Sequence, residues 1–581
     1  MLKLLKYLKP YWWQVLLLLI TVGLQVFANL QLPAQMADII NSGVTTGNAE
    51  YVWQIGLRML FFVLLGAGCS VLSSFLSARI GAYYARDLRA DIFGKVLSFN
   101  VTDLKSFSTA SLINRTTNDV SQVQQTVTMM LTLMLIAPMS CIISLIMAIQ
   151  TAPDMSWIIA VGVAAIVTLI TIVMILVIPK FKIFQKLLDK ITLLTRENLT
   201  GLKVIRAFNN EDLEKKKFDG ANSELTRLII FIERVMKLTN PLINVIFNGL
   251  TLLCTYIGIS LLTQNFDYLG DMSAFTQYVT QLMISFLMLS MLFVMLPRAN
   301  VSAERINEVL DTQSKIIWKE KTEGVPSRQP MVEFQNVDFR YPGAKEKVLD
   351  NVSFTARMGE TTAFIGSTGS GKSTLINLVP RFYEATSGDV LVNGINVKNY
   401  EKDDLMRRIG LVPQRGVLFS GTVESNIKFG APNATSSQVK QAAVLAQADG
   451  FIEKLPGKYK AHIAQGGTNV SGGQKQRLSI ARAICKNPDI FIFDDSFSAL
   501  DMKTDAKLRK ALNTIVSDMV VLVVAQRVST IKDADQIVVL DAGKIVGKGT
   551  HYELLKKCKV YQSIVKSQLS DQEFEREMKH D

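Results

Sequence analysis

Six apolar runs, each close to the thickness of a bilayer, crowd the first half of the chain: 15–32, 55–78, 127–150, 156–178, 242–263 and 273–296. A membrane-crossing helix needs ~20 mostly apolar residues. A single run of that kind fits a soluble core helix equally well, but six in succession do not. The expectation is an α-helical six-span transmembrane domain over 1–297. The segments between the runs alternate in charge. Loops 33–54, 151–155 and 264–272 hold no Lys or Arg, whereas 79–126 and 179–241 are rich in both, with Lys215, Lys216 and Lys217 in a row. Positive-inside topology places the basic segments and both termini in the cytoplasm. The net charge of +13 is then largely a matter of topology, and no nucleic-acid partner is needed to explain it.

Lys3, Lys6 and Lys9 recur at three-residue spacing with leucines between them, and Trp12 and Trp13 follow. This reads as a short amphipathic helix on the cytoplasmic membrane surface. A signal peptide fits less well, because the next apolar run is too long and no convincing small-residue cleavage site follows. The two basic segments are too long for turns and are expected to extend the membrane helices into the cytoplasm, reversing near Lys105–Ser111 and Phe208–Asp212. No Asp, Glu or Lys sits at the centre of a span, and Arg58 lies near an outer end, which weakens a proton-coupled carrier. Met283, Met288, Met291 and Met295, with Phe286 and Phe293, give the last span a soft surface. Such residues suit either varied apolar ligands or ordinary lipid and helix packing. Five scattered cysteines read as reduced thiols rather than a disulfide framework.

The composition turns polar over 298–330, taken as a linker, and from 331 to 566 short β-rich runs alternate with amphipathic helices, an α/β signature. Within it, Gly366-Ser367-Thr368-Gly369-Ser370-Gly371-Lys372-Ser373-Thr374 follows the apolar strand Thr362–Gly366. Glycines there let backbone N–H groups face phosphate oxygens at a helix N-terminus. Lys372 is expected on the β- and γ-phosphates of ATP and the Ser373 hydroxyl on Mg²⁺. The apolar run Ile490–Phe493 ends in Asp494, expected at the same Mg²⁺, and in Asp495, where a carboxylate would polarise an attacking water. The polar tail 567–581 is expected to fray.

With Val470-Ser471-Gly472-Gly473-Gln474 between these motifs, the chain resembles the ATP-binding cassette (ABC) exporters of the half-transporter type: six spans fused to one α/β P-loop cassette. The resemblance implies a dimer with ATP between one chain's phosphate loop and the other's signature. Tyr341 matches the aromatic that stacks on adenine, although Tyr341-Pro342-Gly343 is also a plain turn. Gln414 matches the glutamine at Mg²⁺ and the attacking water, and Leu418–Thr422 after it fits the family too. Ser471, Gly472, Gly473 and Gln474 match the signature that clamps the opposite chain's γ-phosphate. Asp501, in Ser498-Ala499-Leu500-Asp501, matches the loop between the two sites, and Glu197 through Phe218 the segment that docks on the partner's cassette.

Three positions depart from the family. Asp495 stands for the catalytic glutamate, Gln526 for the histidine at the γ-phosphate, and Gln465 for a glutamate near the docking helices; His462, His551 and His580 all lie elsewhere. Aspartate is one methylene short, and a misplacement of ~1 Å can cost ~10²-fold unless the backbone adjusts. Glutamine can bond a phosphate oxygen but carries no charge. The expected result is a degenerate, hydrolysis-impaired ATP site in a heterodimer. The homologous second half-transporter would carry the glutamate and histidine. The expected role is an exporter of amphipathic or hydrophobic compounds (drugs, with lipids or lipopeptides as a second class) in the bacterial cytoplasmic membrane. An ATP-gated channel or regulatory membrane subunit is the alternative. An importer is disfavoured because its cassette is usually a separate chain, and the spans exclude a soluble cassette ATPase.

Overall fold

The computed structural model describes residues 1–44, 47–262, 268–314, 316–327 and 331–578. It divides into two compact units, Met1–Leu97 with Thr109–Thr312, and Ser98–Ser108 with Gln313–Asp581.

The first unit is helical. Its long helices are α1 (Trp12–Asp38) and α2 (Ala49–Ser98). After the short α3 (Val101–Ser106) and α4 (Thr109–Asn114) come α5 (Val120–Thr151) and α6 (Trp157–Thr200). The short α7 (Leu202–Ala207) precedes α8 (Glu211–Leu262) and α9 (Tyr268–Asp311). Among the described residues six helices are long and apolar enough to cross a membrane. The expected spans lie within α1, α2, α5, α6, α8 and α9, apart from Ser156, which caps α6, and residue 263, which falls outside the described residues. At 1.5 Å per residue the 50 residues of α2 reach about 75 Å, more than twice the ~30 Å of a hydrocarbon core. Half of such a helix must therefore stand in water, which is why its later turns carry Arg86, Arg89 and Lys95.

Polar groups inside the bundle find one another. Tyr278 donates its hydroxyl to the Leu30 carbonyl at 3.1 Å, and Gln281 Nε2 donates to Ser140 Oγ at 2.9 Å. Such bonds are needed where lipid offers none. Met283 is fully buried in this packing with Phe275 and Leu282, so it serves helix contact; the side chains of Met291, Phe293 and Met295 lie outside the described residues. The N-terminal Leu2–Tyr11 forms a 3₁₀ helix, held to α2 by the Tyr7 hydroxyl on Asp91 at 2.6 Å and the Tyr11 hydroxyl on Asp87 at 2.5 Å.

The linker expected from 298 is corrected: α9 continues unbroken to Asp311. Ala299, Ala303, Ile306 and Val309 are all buried at helical spacing. The change to charged residues falls within the helix and does not mark its end.

The second unit is built on two sheets. A four-stranded antiparallel sheet has the order β2 (Leu349–Arg357), β1 (Met331–Phe339), β4 (Ser387–Val392), β5 (Ile395–Asn396). A six-stranded sheet has the order β12 (Lys544–Gly549), β11 (Gln536–Asp541), β3 (Thr361–Gly366), β10 (Val520–Val524), β9 (Ile490–Asp494), β6 (Ile409–Val412). All its pairings are parallel except the edge pair β11–β12. A third ladder joins β7 (Gly421–Thr422) to β8 (His462–Ile463). Parallel strands buried on both faces read as continuous apolar runs. Accordingly Ile490 and Ile492 of β9 face the core shared with the antiparallel sheet, while Phe491 and Phe493 face the helical side.

Residues Ser98–Ser108 belong to this unit. Asn100 caps α3 through Asp103 and donates to Ser314 Oγ at 3.2 Å, and Val101 packs against the inter-sheet core. The expected frayed tail is also corrected. Asp571–Met578 is a helix, opened by Ser570, whose hydroxyl donates to Glu573 at 2.7 Å, and Leu569 and Phe574 pack against the helical-side core. Two apolar side chains in a polar stretch, with the Lys532–Glu577 ion pair, dock it.

Candidate nucleotide site

The turn between β3 and the helix α10 (Lys372–Leu378) shapes a phosphate-sized cradle. Gly369 and Gly371 adopt φ of +85° and +98°, a region costly for residues with a Cβ. A Cβ on Gly366 would lie 2.0 Å from the Leu540 carbonyl oxygen of the neighbouring strand. Lys372 curls back over the loop and donates to the Gly366 and Ser367 carbonyls, both at 2.8 Å. Burial pushes its ammonium below the ordinary lysine range, opposed by Asp495 and Asp494. A half-buried cation held by neutral oxygens is matched to an anionic ligand.

Across the turn, Ser373 Oγ donates to Asp494 Oδ1 at 2.8 Å, which brings a hydroxyl and a carboxylate to one point. Burial raises the Asp494 carboxyl above its usual range, with the Ser373 bond pulling the other way. Gln414 lines the same cleft and adds a third oxygen-bearing side chain. Hard oxygen donors of this kind suit Mg²⁺, which also keeps several waters. Bound there, the ion would neutralise phosphate charge.

Asp495 is the centre of the far wall. Its Oδ2 accepts from Gln526 Nε2 at 2.8 Å and from Gln414 Nε2 at 3.2 Å. Its backbone has φ of +47°, held by Asp495 N–H to the Val524 carbonyl at 2.9 Å and by Ser498 Oγ to the Asp495 carbonyl at 2.8 Å. Burial raises this carboxyl too, against the Gln414 bond and the charges of Lys372 and Arg527. Tyr341 closes the opposite end, its hydroxyl 2.9 Å from Thr374 Oγ1 and its ring edge-on to Phe339 and Tyr383. Together these residues surround an open cleft of about 440 Å³, lined also by Thr368, Val348 and Val524. The Ser370 hydroxyl lies 3.4 Å from Lys372 Nζ beneath it.

The structure does not bring every anticipated residue to this cleft. Ser471 and Gln474 cap the helix Gly472–Cys485 reciprocally: Gln474 N–H donates to Ser471 Oγ at 3.3 Å, and Ser471 N–H to Gln474 Oε1 at 2.9 Å. Ser471 and Gly472 are exposed, and Gly473 is half-buried. Asp501 caps the helix Met502–Asn513 by accepting from Thr504 N–H at 2.9 Å. Gln465 is exposed in a 3₁₀ turn. One neighbour of the site was not anticipated as such: Lys105 of α3 lies 5.0 Å from the Tyr341 ring centre and 5.3 Å from that of Tyr383. Nothing in the sequence near Lys105 announces that contact.

Two family models match the chain, the ABC transporter transmembrane region over residues 15–286 and ABC transporter over 349–498. An uncharacterized ABC transporter ATP-binding protein of Mycobacterium tuberculosis is 38% identical over 97% of both chains. The chain belongs to the ABC transporter family. Another uncharacterized member, YfiB of Bacillus subtilis, is 36% identical over 97% of this chain and 98% of its own. The ATP-dependent lipid A-core flippase of Syntrophus aciditrophicus is 31% identical over 88% of this chain and 84% of its own. The structure of a bacterial Atm1-family ABC exporter with ATP bound superposes with a TM-score of 0.81 at 23% identity, covering 97% of this chain and 99% of that one. This ABC transporter therefore has the exporter fold, with membrane region and ATP-binding domain fused in one multi-pass chain, and its cassette is that of a transport-coupled ATPase.

Proposed function

We propose that this chain is one subunit of a heterodimeric exporter of amphipathic or hydrophobic compounds. Its own pocket binds ATP and Mg²⁺ and hydrolyses slowly. Lys372 and the loop Gly366–Thr374 hold the phosphates, Tyr341 stacks on adenine, and Ser373, Gln414 and Asp494 hold the ion. Ser471–Gln474 complete the catalytic site of a second, homologous half-transporter, which carries glutamate and histidine where this chain has Asp495 and Gln526. Asp501 lies in the loop between the two sites. The complex resides in the bacterial cytoplasmic membrane, with both termini and the cassette in the cytoplasm.

The observation that carries this reading is the Asp495–Gln526 pair. A carboxylate one methylene short is drawn onto a neutral amide at 2.8 Å. That bond holds Oδ2 back on the far wall, and the amide cannot take up a proton at neutral pH. The signature sequence, by contrast, is complete, with Ser471 and Gly472 exposed. Relatives named lipid A-core flippases favour lipid-like cargo among the apolar compounds.

The test is to isolate the chain with its native partner and compare two lysine-to-alanine changes, Lys372→Ala here and its equivalent in the partner. Near-total loss of ATPase only from the partner's change is expected. Equal losses, or exporter-like turnover by this chain alone, would overturn the asymmetric assignment.

A further inference from the structure

Gln568 spans the loop that carries Gln526. Its Nε2 donates to the Gln526 carbonyl at 2.7 Å, and its Oε1 accepts from Val528 N–H at 2.8 Å. Both ends of one amide are used, with opposite polarity, so they fix the peptide groups on either side of Arg527. The sheet's last hold on that loop is Ala525 N–H to the Phe364 carbonyl at 3.2 Å: β10 ends at Val524, and the four-residue helix Val528–Ile531 follows. Gln526 in turn donates to Asp495 inside the nucleotide cleft. Gln568 is moored from both sides. Before it, Val565 is buried and accepts from Gln568 N–H at 3.0 Å. After it, Ser570 caps the helix Asp571–Met578, and Glu577 of that helix pairs with Lys532. Lys532 lies directly after Val528–Ile531, so the C-terminal helix grips the same element downstream of the loop.

We propose that Gln568 is a positioning residue for the side chain facing the third phosphate, so that the C-terminal segment sets how firmly this pocket holds ATP. The inference rests on the reading of Gln526 as the γ-phosphate contact. Its reach is selective. The residues around adenine and the first two phosphates, Tyr341 and Gly366–Thr374, make no hydrogen bond to Gln568 among those described. Gln568 is itself exposed, so truncating it removes two hydrogen bonds without opening the core.

The experiment uses the full-length chain in lipid nanodiscs. Affinities for the non-hydrolysable analogue AMP-PNP and for ADP are measured by displacement of trinitrophenyl-ATP. Gln568→Ala is expected to weaken AMP-PNP by about 5- to 30-fold, the range for one or two net hydrogen bonds, while ADP changes less than about twofold. Gln526→Ala should weaken AMP-PNP selectively as well, and Gln568→Ala added to it should cost less than about twofold more, because the first acts through the second. Gln568→Glu keeps the acceptor for Val528 but sets a carboxylate against the Gln526 carbonyl, and should match the alanine variant. Equal weakening of ADP and AMP-PNP, or full additivity with Gln526→Ala, would reduce Gln568 to general support and overturn the proposal. A selective effect of Gln526→Ala with none from Gln568→Ala would sink the clamp alone. No selective effect from Gln526→Ala would sink the γ-phosphate reading and the clamp with it.

Discussion

Replacing Asp495 by glutamate should turn this pocket from holding to hydrolysing. In the structure the carboxylate stops at the two glutamine amides, 2.8 Å from Gln526 and 3.2 Å from Gln414. One further methylene carries it outward by about 1 Å or more, a displacement that can be worth ~10²-fold in rate. At 1.36 kcal/mol per tenfold that is about 2.7 kcal/mol of barrier. Two effects oppose the gain. The bond from Gln526 is lost or re-formed at a different angle, at about 1 kcal/mol. The backbone at φ +47° also favours a short Asp over Glu, although that strain falls on folding more than on chemistry. The balance is a rise of about 10- to 100-fold in the single-turnover rate. The assay is phosphate release from radiolabelled ATP with the full-length chain in excess in nanodiscs, and Lys372→Ala supplies the background. A change below threefold, with ATP still bound, would show that aspartate already reaches the water and that the short side chain is not the impairment.

Three further outcomes are expected. Gly366→Ala forces a Cβ to within 2.0 Å of the Leu540 carbonyl oxygen, so the β3–β11 pairing must part; a loss of about 3 kcal/mol or more, or failure to fold, should appear in thermal unfolding of the purified chain. Phe493→Ala empties a fully buried position on the helical side of the sheet and should cost about 3–5 kcal/mol, with ATP affinity falling only as the fold loosens; the same unfolding measurement beside a nucleotide titration checks it. His551 is buried, with Nδ1 2.7 Å from the Tyr561 hydroxyl, Nε2 3.5 Å from Glu577, and Lys532 and Asp533 nearby; burial, the largest influence, lowers its pKa. The unfolded chain therefore takes up a proton that the folded chain refuses as pH drops below about 6.5, and stability should fall between pH 7.5 and 5.5 by up to ~1.4 kcal/mol per unit. The His551→Gln variant should show a flatter profile of melting temperature against pH.

What was legible in the sequence was what is local in it. The phosphate loop is nine consecutive residues whose glycines announce their own turn, and Asp494 and Asp495 end a strand of unbroken apolar character. Span existence was legible because lipid imposes a length. Helix ends were not: over 298–311 composition changed while the stripe Ala299, Ala303, Ile306, Val309 persisted beneath it, and charge was the louder signal. Contacts across long separations were invisible for a different reason. Gln568 and Gln526 lie 42 residues apart, and Lys105 is still further from Tyr341; neither pair has a spacing rule, because each is made by the packing of whole elements. Reading the tail from its polarity alone missed Leu569 and Phe574, which anchor it.

The cassette unit takes eleven of its residues, Ser98–Ser108, from between the second and third membrane helices in sequence. That fact bears on how the protein is made. Val101 and Lys105 leave the ribosome early, whereas β11 and β12 are synthesised roughly 430 residues later, about 20–90 s at ~5–20 residues per second. During that interval this short stretch has no cassette to join, while α5, α6, α8 and α9 are still to be made. A cassette cut out at Gln313 would lack it and present an uncovered patch beside Tyr341. Completion of the nucleotide domain is thus tied to prior emergence of the membrane domain, an order of assembly written into the polypeptide by where one small helix was placed.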